Sequence, residues 1–233
     1  YNHELTFFLI ENNDLNNIKQ VFNINNLNVK KILVKNFVTG TQLIDKNKSI
    51  ETFFKINIGK DKSHLSFFDK SSFKYVEYFN FGTNIIFRDI TKVCSIDNEA
   101  IEKILLHKIF KNETYKDNEL LEEKYFTKIN FRKIKKNLIL NIAKARVEEI
   151  TNIILNHNIN IKSFKKNNNK VYLAVEDEVV FDNLKEMFKF YILQNNTFDL
   201  DLTQNFKTDS IFMHAADLLN YGWKKEAIPI TKK

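Results

Sequence analysis

The chain has 233 residues, room for one large domain or two small ones, and its hydrophobic share of 43% is enough for a sizeable core. Scarce glycine and proline exclude a flexible linker, the single cysteine (Cys94, expected to be buried) excludes an internal disulfide, and no apolar run reaches the ~20 residues of a membrane span. The formal charge of +7 fits a solvated lysine surface, or attraction to nucleic acid, anionic lipid or an acidic peptide.

The first 50 residues predict two strands and two helices in alternation. Residues 4–10 are typical of a strand, and Asn13-Asp14 offers a helix N-cap. Apolar residues then recur at helical spacing from Leu15 to Phe22. A second strand is predicted at 31–34 and a second helix at 38–44. The order β-α-β-α favours parallel strands.

The middle of the chain predicts three strands followed by two helices. The strands are expected at 52–58, 65–68 and 73–79, separated by a polar loop and a short turn. Gly82-Thr83-Asn84 opens a helix that runs past Val93, and Asp97-Asn98 caps another that runs through Phe110.

The second half of the chain is mostly helical by pattern. A short strand is expected near 125–129, and apolar residues keep a period of about 3.6 over a long helix at 132–156. A strand at 171–175, a helix at 179–193 and a final helix at 210–223 follow.

Four stretches carry a resemblance to one family. Residues 56–69 form a strand pair spaced like the second phosphate motif of actin-like ATPases. Residues 78–90 resemble the Val-Ile-Pro-x-Gly-Gly-Asn-x-x-Thr-x-Asp-Ile stretch of the bacterial cell-division protein FtsA. Its Pro and Thr are replaced here, and the matching positions are Gly82, Asn84, Asp89 and Ile90. Residues 145–150 look like the family's Ala-Arg-Val-Glu-Glu-Ile run, and 215–222 are similar to its Ala-x-Gly-Leu-Leu-Leu-Tyr-Gly helix.

The resemblance covers nearly the whole chain and implies the second half of FtsA, without the first phosphate loop and most of the first lobe. The implied class is α/β, an actin-like (ribonuclease-H-like) fold, second lobe with an inserted α/β subdomain. Residues 1–54 would end the first lobe, 55–92 and 166–224 would form subdomain 2A, 93–165 the partner-binding subdomain 2B, and 225–233 a tail.

The nucleotide motifs of the family are degenerate in this sequence. Its Asp-Ile-Gly-Gly-Gly-Thr-Thr-Asp falls on 57–64, where one glycine survives and both aspartates are replaced. Its adenosine motif Leu-Thr-Gly-Gly-Gly-Ala falls on 173–178, which holds three carboxylates and no glycine. Phosphate binding needs glycine backbone and a carboxylate for Mg²⁺, so hydrolysis is not expected. The implied remnant site is Asn57, Gly59, Lys60, Lys62, Ser63 and Gly82, with weak ATP/Mg binding left open.

A basic run surrounds the start of the long helix. The resemblance implies that this region holds the C-terminal tail of the tubulin-like protein FtsZ, a short peptide with acidic residues and apolar anchors. A basic, partly apolar groove suits such a peptide. A solvated helix face is the alternative. The predicted contacts are Arg132, Lys133, Lys144 and Arg146.

The predicted function is therefore a non-enzymatic FtsA-like scaffold that links FtsZ filaments to the cytoplasmic face of the membrane at the division site, with self-association into filaments and indirect membrane contact. No catalytic residue is assigned, and the five histidines show no metal-ligand spacing. An active actin-like ATPase and an actin-like platform for pilus or secretion machinery are the alternatives. Nucleic-acid binding is disfavoured, because the aromatic residues keep core spacing.

Overall fold

A computed structural model describes residues 8–111, 114–116, 118–126, 130–164, 169–194, 196–204 and 206–223. The chain divides into two compact units. Unit 1 comprises Tyr1–Thr52, Ser66–Tyr75 and Phe206–Lys233, and unit 2 comprises Phe53–Leu65 and Val76–Asn205. Within the described ranges, no helix is both long enough and apolar enough to cross a membrane.

One sheet runs through the described part of the chain, in the strand order β3-β2-β1-β4-β5. Its strands are β1 (Phe53–Ile58), β2 (Ser63–Asp69), β3 (Ser72–Phe79), β4 (Lys170–Val175) and β5 (Asp199–Leu202). Strand β4 lies parallel to both β1 and β5. Because Ile58 pairs with Val175, the carboxyl ends of β1 and β4 lie side by side, and the residues that follow each strand become neighbours.

The central strand β1 is buried along its whole length. Phe53, Phe54, Ile56 and Ile58 are each at most 2% exposed. Lys55 and Asn57 are buried as well, and burial at all six positions is typical of a strand covered on both faces. Each buried apolar side chain contributes roughly 1.5–3 kcal/mol. The buried sheet is the rigid base for the loops at its carboxyl edge.

The helices of unit 2 follow from their caps and apolar spacing. Asp97 caps α4, since its carboxylate accepts a hydrogen bond from the Ala100 N–H at 2.8 Å. Helix α5 continues as a π-helical turn at Asn152–Asn156. The α-helices of this unit are α3 (Asn84–Cys94), α4 (Asn98–Leu106), α5 (Lys136–Thr151), α6 (Ile159–Phe164) and α7 (Glu178–Gln194), with 3-10 turns at Ile109–Lys111 and Glu123–Tyr125.

The helices of unit 1 are α1 (Asn12–Ile24), α2 (Lys35–Lys46) and α8 (Thr208–Tyr221). Polar contacts join α2 to α8: the Gln42 amide donates to the Ser210 hydroxyl at 2.5 Å, and Thr41 Oγ1 lies 3.0 Å from His214 Nε2. A cluster of aromatic rings fills the rest of the core, comprising Phe8, Phe37, Phe68, Phe73 and Trp223.

Several expected elements are confirmed, among them the three middle strands, β4, α3, α7 and α8. The predicted β-α-β-α start is wrong within the described residues. Residues 31–34 form no strand, because Ile32 is 40% exposed and this short run has no partner strand to pair with in the described chain. Of the strand expected at 4–10, residues 1–7 lie outside the described ranges and 8–10 are irregular.

The long helix also begins later than its apolar pattern predicts. Residues 132–135 are not helical: the Ile134 N–H donates to Arg132 O at 3.0 Å in a tight turn, and backbone hydrogen bonds join Leu121 N to Ile134 O and Lys136 N to Glu119 O. Helix α5 starts only at Lys136. The strand expected at 125–129 is also wrong where it can be checked: Tyr125 ends a 3-10 turn, and 127–129 lie outside the described residues.

The turn that joins β2 to β3 holds two non-glycine residues at positive φ, Lys70 at 49° and Ser71 at 66°. A two-residue hairpin turn of this kind favours Asn-Gly, because left-handed backbone costs an L-residue about 1 kcal/mol or more. We expect Ser71→Gly to stabilise the protein by about 1 kcal/mol, measured by urea unfolding. Lys74→Gly, in the neighbouring strand, is the control and is expected to destabilise it.

Candidate functional site

The turn between β1 and β2 is closed by its own backbone. Gly59 N–H donates to Lys62 O at 3.1 Å, and a Cβ at Gly59 would lie 2.4 Å from that same oxygen. Only glycine fits at that position. Lys60 and Lys62 are exposed on the turn. The Gly59 N–H is therefore engaged within the turn.

The loop before α3 packs directly onto this turn. The N–H groups of Thr83 and Asn84 donate to the carbonyls of Gly59 and Lys60, each at 2.9 Å. A Cβ at Gly82 would lie 2.2 Å from Gly59 O, so the close approach depends on glycine there. The buried Ser63 hydroxyl, at the start of β2, also donates to Phe81 O in this loop at 2.7 Å.

A side-chain pair spans the carboxyl ends of β1 and β4. Asn57 Nδ2 donates to Glu176 Oε1 at 3.1 Å. Asn57 is 5% exposed, and its Oδ1 has no hydrogen-bond partner among the described residues. The second Glu176 oxygen lies 2.9 Å from the position that a Gly59 Cβ would take. A carboxylate therefore fills the space against the turn backbone.

A cleft of about 520 Å³ opens beside the turn. We call it the unit 2 cleft. It is lined by the turn, the start of α3, one face of α4 and the start of α7. The lining residues are Lys60, Asp61, Thr83, Asn84, Phe87, Arg88, Asn98, Ile101, Glu102, Leu105, Asp177 and Val180.

No family model matches the sequence, and no curated protein matches it. Solved structures do. MreB5 of Spiroplasma citri bound to ADP matches with a TM-score of 0.55 and 12% identity, over 90% of this chain and 65% of that chain. The same protein bound to AMPPNP matches with a TM-score of 0.52 and 13% identity, over the same shares of the two chains. Ethanolamine utilization protein EutJ from Carboxydothermus hydrogenoformans gives 0.51 and 10%, over 83% of this chain and 57% of that chain.

The fold is actin-like. The fold class predicted from the sequence is thereby confirmed, and the chain spans less than two thirds of the length of these structures. The turn after β1 and the residues after β4 are the segments that the sequence resemblance aligns with the family's phosphate and adenosine motifs. The structure brings these two segments together at the unit 2 cleft.

The polar groups at this edge of the sheet are engaged with one another. The N–H groups of Gly59, Thr83 and Asn84 donate to protein carbonyls. Glu176 puts a negative charge against the turn, where like charges about 4 Å apart repel by ~4 kcal/mol at an effective dielectric near 20.

The predicted nucleotide residues come together, and the sequence missed several of their neighbours. Asn57, Gly59, Lys60, Ser63 and Gly82 lie in or against the turn, with Lys62 exposed on it. Glu176 fell within the aligned adenosine motif but was not assigned to the site. The α4 residues carry no local signal, since a helix residue reaches this cleft only through tertiary packing. The lone Cys94 is buried as expected, and burial raises the pKa of its thiol.

The predicted partner residues occupy three different settings. Arg132 and Lys133 are exposed in the non-helical segment before α5. Lys144 is half-buried on α5, about 12 Å along the axis from the helix start. Arg146 donates from Nε to Asp89 Oδ2 at 2.7 Å and also pairs with Glu149. It therefore ties α5 to α3, which joins two of the stretches that carry the FtsA resemblance.

Proposed function

We propose that this chain is an FtsA-like scaffold on an actin-like fold, whose nucleotide site no longer hydrolyses ATP. The observation that carries the proposal is the Asn57–Glu176 pair, 3.1 Å between Nδ2 and Oε1. The family's aspartate has become an amide here, and a glycine of the adenosine motif has become a glutamate. The space that a polyphosphate would need beside Gly59 then holds a carboxylate.

The comparison structures sharpen this contrast. MreB5 of Spiroplasma citri was solved with ADP and with AMPPNP, so its site accepts a nucleotide. Retention of the fold with altered groups at the carboxyl ends of β1 and β4 favours a role in assembly and not in turnover. We infer that the β1–β2 turn, together with Asn57 and Glu176, has a structural role and holds the carboxyl ends of β1 and β4 in place.

Phosphate release under saturating Mg-ATP tests the loss of hydrolysis. The intact chain is expected to show no release above the buffer rate. Asn57→Asp combined with Glu176→Gly restores the family residues, and Glu186→Gly on α7 serves as a control for removing an exposed glutamate. Measurable turnover by the unmodified chain, abolished by Asp177→Asn, would contradict the proposal.

We assign the partner site to a basic segment, residues 131–135, in the predicted subdomain 93–165. Arg132, Lys133 and Lys135 are exposed there and form no ion pair among the described residues. Exposed apolar side chains flank them, Phe131 at 44% and Leu138 at 43%. Exposed cations with adjacent apolar surface suit a short acidic peptide with apolar anchors, such as the FtsZ tail.

Fluorescence anisotropy with a labelled acidic FtsZ tail peptide tests this assignment. Arg132→Glu with Lys133→Glu is expected to weaken binding at least tenfold, since two attractive charges become repulsive. Lys30→Glu with Lys31→Glu is the matched control, because those lysines are adjacent and exposed in unit 1. Equal weakening by both pairs would show only a response to net charge and would remove the basic segment from the proposal.

Location at the cytoplasmic face of the membrane and self-association into filaments are further predictions of the FtsA-like role. A platform for pilus or secretion machinery differs from it in the partner alone. Binding of the FtsZ tail peptide is thus the measurement that separates the two.

A further inference from the structure

Strand β5 forms an edge of the sheet that no other strand covers in the described chain. It stands last in the strand order and pairs only with β4. The N–H groups of Asp199 and Thr203 donate to backbone carbonyls in or next to β4, at 3.1 and 2.8 Å. Neighbouring residues of a strand direct their backbone groups to opposite sides, so Leu200 and Leu202 direct theirs to the free edge. Such an edge is a template for a further strand.

The two faces of β5 differ in charge and polarity. Asp199 and Asp201 lie on one face, with side chains 63% and 51% exposed, and Lys170 Nζ lies 2.9 Å from a carboxylate oxygen of each. One cation thus faces two carboxylates, which leaves a negative charge on a chain whose formal charge is +7. Leu200 and Leu202 occupy the other face and are half-buried. A complementary strand therefore carries a cation on one face and apolar side chains on the other.

A segment with this pattern lies in unit 1. We call residues 30–35, Lys-Lys-Ile-Leu-Val-Lys, the lysine segment. Its Ile-Leu-Val run has strand propensity, yet residues 30–34 belong to no helix or strand. Val34 already has an extended backbone, with φ −79° and ψ 124°. The three lysines are exposed and form no ion pair within the described ranges, and Ile32 is 40% exposed. The lysine segment is thus available for pairing.

We propose that the lysine segment of one copy of this chain adds as a strand to the free edge of β5 in a second copy. In an extended strand, Lys31 lies on the face opposite to Ile32 and Val34. Lys31 then supplies the cation on the aspartate face, while Ile32 and Val34 lie on the face of the two leucines. The main-chain hydrogen bonds provide affinity, and the side chains on the two faces fix the register.

The contact deepens the proposed self-association of the scaffold and rests on that part of the proposed function. Its two surfaces are different, so every copy carries one of each. A contact of this kind closes as a reciprocal dimer or a ring, or continues as an open filament. It uses neither the unit 2 cleft nor the basic segment at 131–135, so it can fail while peptide binding by that segment stands.

Sedimentation velocity of the full chain at increasing concentration tests the contact. The unmodified chain is expected to associate as its concentration rises. Lys31→Glu and Asp201→Lys are each expected to weaken association at least tenfold, because an attractive charge becomes repulsive. An equimolar mixture of these two variants is expected to associate as the unmodified chain does, since each supplies the charge that the other lacks. Lys19→Glu on α1 and Glu186→Lys on α7 are the controls, because they change the net charge equally at exposed positions.

Three results of this experiment overturn the inference. They are a chain that stays monomeric at every concentration, equal weakening by the controls, and a mixture that does not regain association. Thermal melting checks that each variant folds. Anisotropy with the FtsZ tail peptide separates the two proposals, because Lys31→Glu is expected to lose association and to bind the peptide as the unmodified chain does.

Proline substitutions distinguish strand addition from a purely electrostatic contact. Neighbouring N–H groups of a strand point to opposite sides, so the N–H of either Ile32 or Leu33 points toward β5 of the second copy. Proline removes that donor and leaves the charge unchanged. At least one of Ile32→Pro and Leu33→Pro is therefore expected to lose association at least tenfold, whereas Ile32→Val and Leu33→Val retain it. Full association of both proline variants overturns strand addition.

Discussion

Replacing Gly82 with alanine is expected to destabilise the protein by about 3 kcal/mol. The added Cβ would lie 2.2 Å from Gly59 O and 2.5 Å from Lys60 O. Both oxygens belong to the backbone of the turn, so no change of side-chain rotamer can move them aside. Overpacking of this kind costs ~1–3 kcal/mol, and the hydrogen bonds from Thr83 N and Asn84 N would be stretched as well. Urea unfolding measures the loss, and thermal melting should show a Tm lower by roughly 10 °C.

Asn80→Ala in the same loop is the control for this substitution. Asn80 is exposed, so removing its side chain is expected to change the free energy of unfolding by no more than about 0.5 kcal/mol. If Gly82→Ala is as well tolerated as Asn80→Ala, the loop does not rest on the turn, and the cleft beside it loses one of its walls.

Replacing Asn57 with aspartate is expected to cost about 3 kcal/mol at pH 8. The change removes the donor to Glu176 and puts two carboxylates at a distance of about 3 Å, at a position that is 5% exposed. Repulsion in the folded state raises the pKa of the carboxyl pair above the unfolded value. Between the unfolded and the raised pKa, the folded variant binds more protons than the unfolded one. The loss in the free energy of unfolding is therefore complete above the raised pKa and becomes smaller as the pH falls toward about 4.

The same substitution in a Glu176→Gln background is the control. A glutamine there can donate to the new carboxylate, so the loss should shrink by ~2 kcal/mol and lose most of its pH dependence. Urea unfolding at pH 8, 6 and 4 is measured for the unmodified chain, Asn57→Asp, Glu176→Gln and the double variant. The difference between the two effects of Asn57→Asp is the coupling free energy between residues 57 and 176. A loss that is equal in both backgrounds would contradict contact between residues 57 and 176.

The sequence predicts β1, α3, β4 and α7 of unit 2 well because their signals are local. Strand β1 has four large apolar residues among its six positions, and Asp97 is a strong N-cap that fixes the start of α4. The failures arise where tertiary partners decide. The Ile-Leu-Val run at 32–34 has strand propensity but no neighbouring strand among the described residues. Residues 134–136 pair with 119–121, so α5 does not extend back to residue 132. Strand β5 was missed because its four residues alternate too briefly to stand out.

The candidate site was predictable only where motifs survive. Gly59 and Gly82 lie in aligned motifs, and both prove to be sites of close backbone approach. The Asn57–Glu176 contact joins residues far apart in sequence, and it follows from the parallel register of β1 and β4, which no local pattern reveals. Arg146 was interpreted as a partner contact, and the structure engages it with Asp89. The exposed cations of the basic segment at 131–135 are better candidates for a partner contact.

Calorimetric titration of the intact chain with Mg-ATP, and then with an acidic FtsZ tail peptide in the same buffer, tests the central claim most directly. A non-hydrolysing FtsA-like scaffold predicts saturable heat with the peptide and none with Mg-ATP at matched concentrations. Saturable Mg-ATP binding without peptide binding would contradict the scaffold and restore the actin-like ATPase as the better account.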